Sequence, residues 1–128
     1  MTLSNYIEDL ALNHIVTNST TPFVTTTTIF CSLHTGDPGE TGTANPLASC
    51  PRFAVVFGAA ASATCANNAT ASVVSSATGT VTFAGLWDGS DTALANHIWS
   101  GALGTSKTIA NALDTVTLAV GDLRVSLN

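Results

Sequence analysis

Three histidines, three cysteines and eight carboxylates are the residues of this 128-residue chain best suited to ligate a metal or move a proton. His14, His34 and His97 stand far apart, with no HxH or HExxH spacing, so no zinc site follows from them. His34 has acidic neighbours: Asp37 and Glu40 follow it in a glycine-rich stretch, where two carboxylates could hold a divalent cation. Asp37-Pro38-Gly39 is also ordinary turn chemistry, and the turn is the reading adopted. His14 falls on the apolar face of a helical pattern and reads as a packing residue. A serine or cysteine nucleophile needs a base and an orienting group, and no GxSxG elbow is present. Cys31 lies on an apolar strand face and reads as core. Asp88, Asp91, Asp114 and Asp122 all fall beside turns, and nothing selects two of them as an acid–base pair. Gly101-Ala102-Leu103-Gly104 matches neither phosphate-binding fingerprint. Trp87 and Trp99 could form a carbohydrate platform, but a tryptophan at a strand end more often anchors a core or an interface. The residues therefore predict no catalytic group, no metal site, no cofactor and no enzyme activity.

The elements that carry these residues must be built from an unusual composition. Charged residues are only 9%, against roughly 25% in an ordinary soluble protein. Hydrophobic residues reach 45%, and the remainder is rich in Thr, Ser, Gly and Asn. A neutral, hydroxyl-rich surface loses little on desolvation, which leans toward an oligomer or a lattice component. Arg52, Lys107 and Arg124 are the only strong bases and the net charge is −5. Phosphate-backbone binding needs several basic contacts, so direct nucleic-acid binding is not expected. Cys31, Cys50 and Cys65 form no CxxC pair, and three reduced thiols are expected, as in a protein assembled in a cytoplasm. A Cys50–Cys65 bridge is left open, since spacing alone does not give the geometry. No basic leader precedes the first apolar residues, and the longest apolar stretch, 53–61, falls far short of the ~20 residues that cross a bilayer.

One helix opens the chain. Ile7, Leu10, Ala11, His14 and Ile15 repeat with a 3.6-residue period, Ser4 is a suitable N-cap, and Glu8 and Asp9 suit the positive end of the helix dipole. Pro22 ends it at the latest. The helix either lies on its own domain or acts as an arm on a neighbour. From Phe23 onward β signals dominate. The β-branched run 25–33 puts Ile29, Cys31 and Leu33 on one face, and a loop covers 34–45. Further strands are expected at 53–57, 69–74, 81–87, 95–102, 114–118 and 123–127, with 59–68 either loop or weak strand. Val81, Phe83, Gly85 and Trp87 are expected on one face, Gly121-Asp122 as a hairpin-like joint, and a second helix within 91–97 is conceivable. About seven or eight short strands at roughly 8–12-residue spacing predict an all-β sandwich or jelly roll preceded by one N-terminal helix. The expected division is an N-terminal helix or arm, 1–22, and a β domain, 23–128.

Four segments, in this order, resemble a family of small bacteriophage structural proteins, tail-fibre-like in label. They are Leu3-Ser4-Asn5-Tyr6 with Ala11-Leu12-Asn13-His14; Cys31-Ser32-Leu33-His34-Thr35-Gly36-Asp37-Pro38-Gly39-Glu40; Arg52-Phe53-Ala54-Val55-Val56-Phe57-Gly58-Ala59-Ala60; and Gly79-Thr80-Val81-Thr82-Phe83-Ala84-Gly85-Leu86-Trp87-Asp88 followed by 101–109. The chain departs from the family pattern at Ser49-Cys50-Pro51 and at Thr78. The resemblance implies a virion structural protein, assembled in the host cytoplasm. Small size, low charge and the lack of a repetitive shaft lead to a capsid decoration (cement) protein, bound to the major capsid protein or other virion proteins as a homo-oligomer, dimer or trimer. The alternative is a small tail, tail-tip or fibre-attachment protein with receptor- or carbohydrate-binding loops. A small hydrolase or carbohydrate-binding module is a third reading, from a different class. No membrane contact is expected.

Overall fold

Residues alternating apolar and polar with period two form strands, and the single stretch of period 3.6 forms a helix. The computed structural model describes residues 2–17 and 28–127. The expected helix terminator at 18–22 and the expected strand start at 23–27 lie outside the described residues. In chain order the elements are β1 (Thr2–Leu3), α1 (Asn5–Val16), β2 (Ile29–His34), β3 (Phe53–Val55), β4 (Thr64–Ala66), β5 (Ala71–Val74), β6 (Gly79–Trp87), β7 (His97–Ile109), β8 (Thr115–Leu118) and β9 (Arg124–Ser126). The fold is all-β with one N-terminal helix.

Strands β1, β7, β6, β2 and β3 form, in that order, one antiparallel sheet. The second layer is not a continuous sheet but two ribbons, β5–β8 and β4–β9. The expected hairpin between β8 and β9 is absent, and Asn67 supplies the reason. This side chain, 1% exposed, accepts from the N–H groups of Gly121 and Leu123 at 3.0 Å each. Its Nδ2 donates to the carbonyls of Ala69 (3.0 Å) and Ala119 (2.9 Å). These bonds turn the chain away from β8, so that β9 pairs with β4, with Cys65 opposite Val125.

The core lies on one face of the large sheet. Cys31, Leu33, Val55, Leu86 and Trp99 meet Val73, Val116 and Leu118 of the β5–β8 ribbon there, together with Leu123. Each large apolar side chain buried this way contributes roughly 1.5–3 kcal/mol.

Even alternation along β6 would have kept Val81, Phe83, Gly85 and Trp87 together. A bulge breaks it. Val81 pairs with Lys107 and Phe83 with Ala102, so residues 103–106 of β7 stand opposite Thr82 alone. Val81 consequently shares the core with Ala84 and Leu86, while Gly85 and Trp87 turn to the other face. No second helix forms at 91–97. Asp91 Oδ1 instead accepts from the N–H groups of Ala93 (2.7 Å) and Leu94 (3.2 Å), closing a single turn.

Helix α1 is anchored at its first turn. Ser4 caps it, accepting from the Ile7 N–H, and the Ser4 N–H donates to the Ile98 carbonyl at 3.1 Å. The Ser4 hydroxyl also donates to the His97 carbonyl. Of the expected packing face only Ile7 is buried; His14 and Ile15 are exposed, Ile15 at 77%. The helix therefore leans on the sheet through one turn rather than along its length.

Candidate functional site

The sheet face opposite the core is polar, and the residues with chemical potential gather on it. Alternation along β2 that sends Cys31 and Leu33 to the core sends Ser32 and His34 the other way. Gly85 pairs with Ser32 across the β2–β6 ladder. A Cβ on Gly85 would stand 2.8 Å from Ser32 Oγ, 3.3 Å from Trp87 Nε1 and 3.4 Å from His34 Nε2. The missing side chain is thus the space in which three polar groups converge.

Their hydrogen bonds fix the protonation pattern. His34 Nδ1 lies 2.8 Å from the Ala44 carbonyl, so Nδ1 carries the proton and Nε2 is the acceptor. Ser32 Oγ donates to that Nε2 at 2.7 Å and accepts from Trp87 Nε1 at 2.8 Å. His97 follows the same plan, with Nδ1 donating to the Glu40 carbonyl at 2.9 Å. Its Nε2 is buried and has no hydrogen-bond partner among the described residues. The Trp87 and His97 rings are 4.9 Å apart, centroid to centroid. The Arg52 guanidinium stands 3.4 Å from the Trp87 centroid and is held there by the Asp91 carbonyl at 2.9 Å.

Residues 35–45 form a strap across this cluster. Both imidazoles hold it from below, through Ala44 and Glu40. Gly42, at φ +69°, presses so close that a Cβ would stand 2.5 Å from His97 Cδ2 and 2.7 Å from Trp87 Cζ2. Burial pushes both imidazoles below their usual range, and the nearby Arg52 charge acts in the same sense. The strap carbonyls act against burial, because each stabilises a ring N–H.

Ser32 and His34 have the spacing of a nucleophile and its base. The serine oxygen, however, is already engaged by the Trp87 N–H, and His34 is oriented by a backbone carbonyl. The arrangement joins strap, sheet and Trp87 into one rigid unit. Asp37 and Glu40 do not meet the His34 ring as a ligand set. Asp37 Oδ1 closes its own turn on the Gly39 N–H at 2.8 Å. Among the described residues no group of three His, Cys, Asp or Glu side chains could hold a metal ion.

The turn carboxylates Asp88, Asp114 and Asp122 likewise serve their own turns. Asp88 accepts from the Asn96 N–H (2.7 Å), Asp114 from the Asn111 N–H (2.9 Å) and Asp122 from the Ala119 N–H (2.9 Å). Asp122 also pairs with Lys107 at 2.7 Å, which holds its carboxyl below the usual range. Both tryptophans are buried, Trp99 in the core and Trp87 in the polar cluster. The three cysteines are unpaired, and burial drives the Cys31 thiol far above its ordinary range. No described helix is long and apolar enough to cross a membrane. Periodicity pointed to neither Arg52 nor Ser32 as members of this cluster; both join it through pairing across strands and loops.

Over residues 2–126 the chain matches the model of the family described as podophage GP4 fiber I protein gp80. It belongs to that family and is a structural protein of the phage virion. No curated protein matches the chain.

Proposed function

We propose that this protein is a small component of the phage tail and fibre apparatus, a fibre-attachment or tail-tip protein working through contacts with other virion proteins. The observation that carries the reading is the near full-length match to a fibre protein family. It favours the tail reading over the capsid decoration that small size, low charge and the lack of a repetitive shaft had put first. Low charge and compact size fit both positions, because either one asks only for a surface that desolvates at little cost. A structural role, rather than an enzymatic one, also agrees with a polar cluster whose serine hydroxyl is spent on holding the fold. Assembly as a symmetric homo-oligomer belongs to the same reading.

Gold-labelled antibody against this chain on purified particles tests the position. Label at the tail end, with densitometry giving a few to dozens of copies per particle, is the expected result. Label over the whole head, with hundreds of copies, would overturn the reading. Light scattering on the purified protein measures the oligomer; a monomer at micromolar concentration would remove that part of the proposal.

A further inference from the structure

The strap is braced within itself. The Ala44 N–H donates to the Pro38 carbonyl and the Gly42 N–H to the Gly39 carbonyl, each at 3.0 Å. Asp37 Oδ1 accepts from the Gly39 N–H at 2.8 Å, and Asn45 Nδ2 donates to the Asp37 carbonyl at 2.9 Å. Its base is pinned: Pro38 is buried, and the Thr35 N–H donates to the Asn45 carbonyl at 2.9 Å. Among the described residues, hydrogen bonds from the body of the protein reach 36–44 at two points only, His34 on Ala44 and His97 on Glu40. At the tip Gly39, Glu40, Thr41 and Thr43 are exposed, and Gly42 alone is turned in, over His97 and Trp87.

The two imidazole latches differ in how they take a second proton. On His34 it arrives at Nε2, where Ser32 Oγ can accept the new N–H and turn its own hydroxyl toward the Gly85 carbonyl, 3.4 Å away. On His97 the new N–H finds no acceptor, because Nε2 is buried without a hydrogen-bond partner among the described residues. It also adds charge beside the Trp87 ring, over which the Arg52 guanidinium already stands. Facing His97 are Glu40 from the strap, Arg52, His34 of β2 and Tyr6 at the start of α1. Asp88 and Asp91 act on Arg52, and Glu8 and Asp9 are exposed further along α1. Burial holds the ring below its usual range and Arg52 adds to this, while Glu40 and the Trp99 carbonyl work the other way. From this geometry we infer that the 39–43 tip is an acid-released flap with His97 as its latch: a charged ring is hydrated only when the tip swings out on its pinned base. Swinging out returns the ring to water, where it binds a proton near pH 6.5. Each pH unit below that favours the open tip by up to about tenfold, until the closed form also titrates. Opening uncovers the His97 and Trp87 faces that Gly42 covers. The flap does not depend on where in the virion the protein sits.

The test is NMR of the full chain between pH 7.5 and pH 5, following histidine ring signals and backbone amides together, with acrylamide quenching of tryptophan alongside. The His97 ring and the amides of Glu40, Thr41, Gly42 and Thr43 should move with one midpoint, while the core amides of Leu33 and Leu86 stay in place. Quenching should rise over the same range through Trp87, since Trp99 lies in the core. His97→Asn puts an amide where Nδ1 stood, keeps a donor for the Glu40 carbonyl and carries no titrating ring, so both changes should vanish. His34→Asn should leave both in place. Tip amides that do not move, core amides that move at the same midpoint, a transition that survives His97→Asn, or one that is lost in His34→Asn would overturn the inference. Should either variant fail to fold, the native chain decides: tip amides that follow the His34 ring instead of the His97 ring overturn it.

Discussion

Gly39 and Gly42 are a matched pair for asking how tightly the strap is held. Their backbones are alike, at φ +71° and +69°. A Cβ on Gly39 would meet nothing within 4 Å, while one on Gly42 would press into His97 and Trp87. Alanine at either position carries the same left-handed strain, about 1–2 kcal/mol, partly offset by ~0.4–1 kcal/mol from a stiffer unfolded chain. The difference between the two variants isolates the contact. Carbon atoms prefer ~3.5–4.0 Å, so a Cβ at 2.5 Å from His97 demands a displacement of about 1 Å. Neither ring yields easily: both are buried, His97 is bonded to Glu40 and Trp87 to Ser32. The strap must lift instead. Overpacking costs about 1–3 kcal/mol and loss of the His97–Glu40 bond about 1 kcal/mol, so Gly42→Ala should be less stable than Gly39→Ala by about 2–4 kcal/mol. For a chain of 128 residues this corresponds to roughly 8–15 °C in Tm. Thermal unfolding followed by circular dichroism and by tryptophan fluorescence measures it. A difference below about 0.5 kcal/mol, the range of ordinary surface substitutions, would refute the claim that the strap is clamped.

Other consequences follow from the same geometry. Gly85→Ala puts a methyl group among Ser32, His34 and Trp87 and should cost about 1–3 kcal/mol, with a red shift in tryptophan emission as the second readout. Asn67→Ala leaves several buried backbone groups without partners and should cost about 3 kcal/mol; hydrogen exchange should accelerate first at the Leu123 amide. Stability should also depend on pH. The folded His34 and His97 titrate below their unfolded value near 6.5, so below about pH 6.5 the unfolded chain binds more protons. Stability is then level above about pH 7 and falls as pH drops through the folded values, which denaturant midpoints at pH 7.5 and pH 5 would detect. Asp122, held low by Lys107, titrates below that window and does not confuse it. A flat profile between those two pH values would contradict the burial of both rings. Alkylation of the native protein should modify Cys50 and Cys65 while sparing Cys31, and denaturant should expose all three.

Much of the fold was legible because it rests on local rules. The Ile29, Cys31 and Leu33 alternation named the core face of β2, and Ser4 named the helix start. What was not legible comes from contacts distant in sequence. The bulge in β6 and β7 depends on how two strands of unequal length are reconciled, and it reversed the face assigned to Gly85 and Trp87. The break between β8 and β9 depends on Asn67, more than fifty residues upstream of the turn it fixes. His14 was misread as a packing residue for a related reason: a 3.6-residue period marks an apolar stripe, and says nothing about whether a partner within the same chain lies against it.

The polar cluster was hidden for a more specific reason. His34 was singled out for the acidic residues that follow it, which are its neighbours along the chain. Its actual partners are Ser32, two residues before it on the same strand face and itself bonded by Trp87 of the adjacent strand, and the Ala44 carbonyl of the strap. What brings them together is the absence of a side chain at Gly85 and the close approach of Gly42. A glycine in a strand or loop reads as punctuation, a weak β residue or a turn. Here two glycines mark the volumes that a half-buried serine, two buried imidazoles and an indole occupy. The chemistry of a histidine on such a face follows from the space that neighbouring glycines leave. In a chain this poor in charge, the apolar–polar alternation of the strands sets the core face, and its glycines shape the polar one.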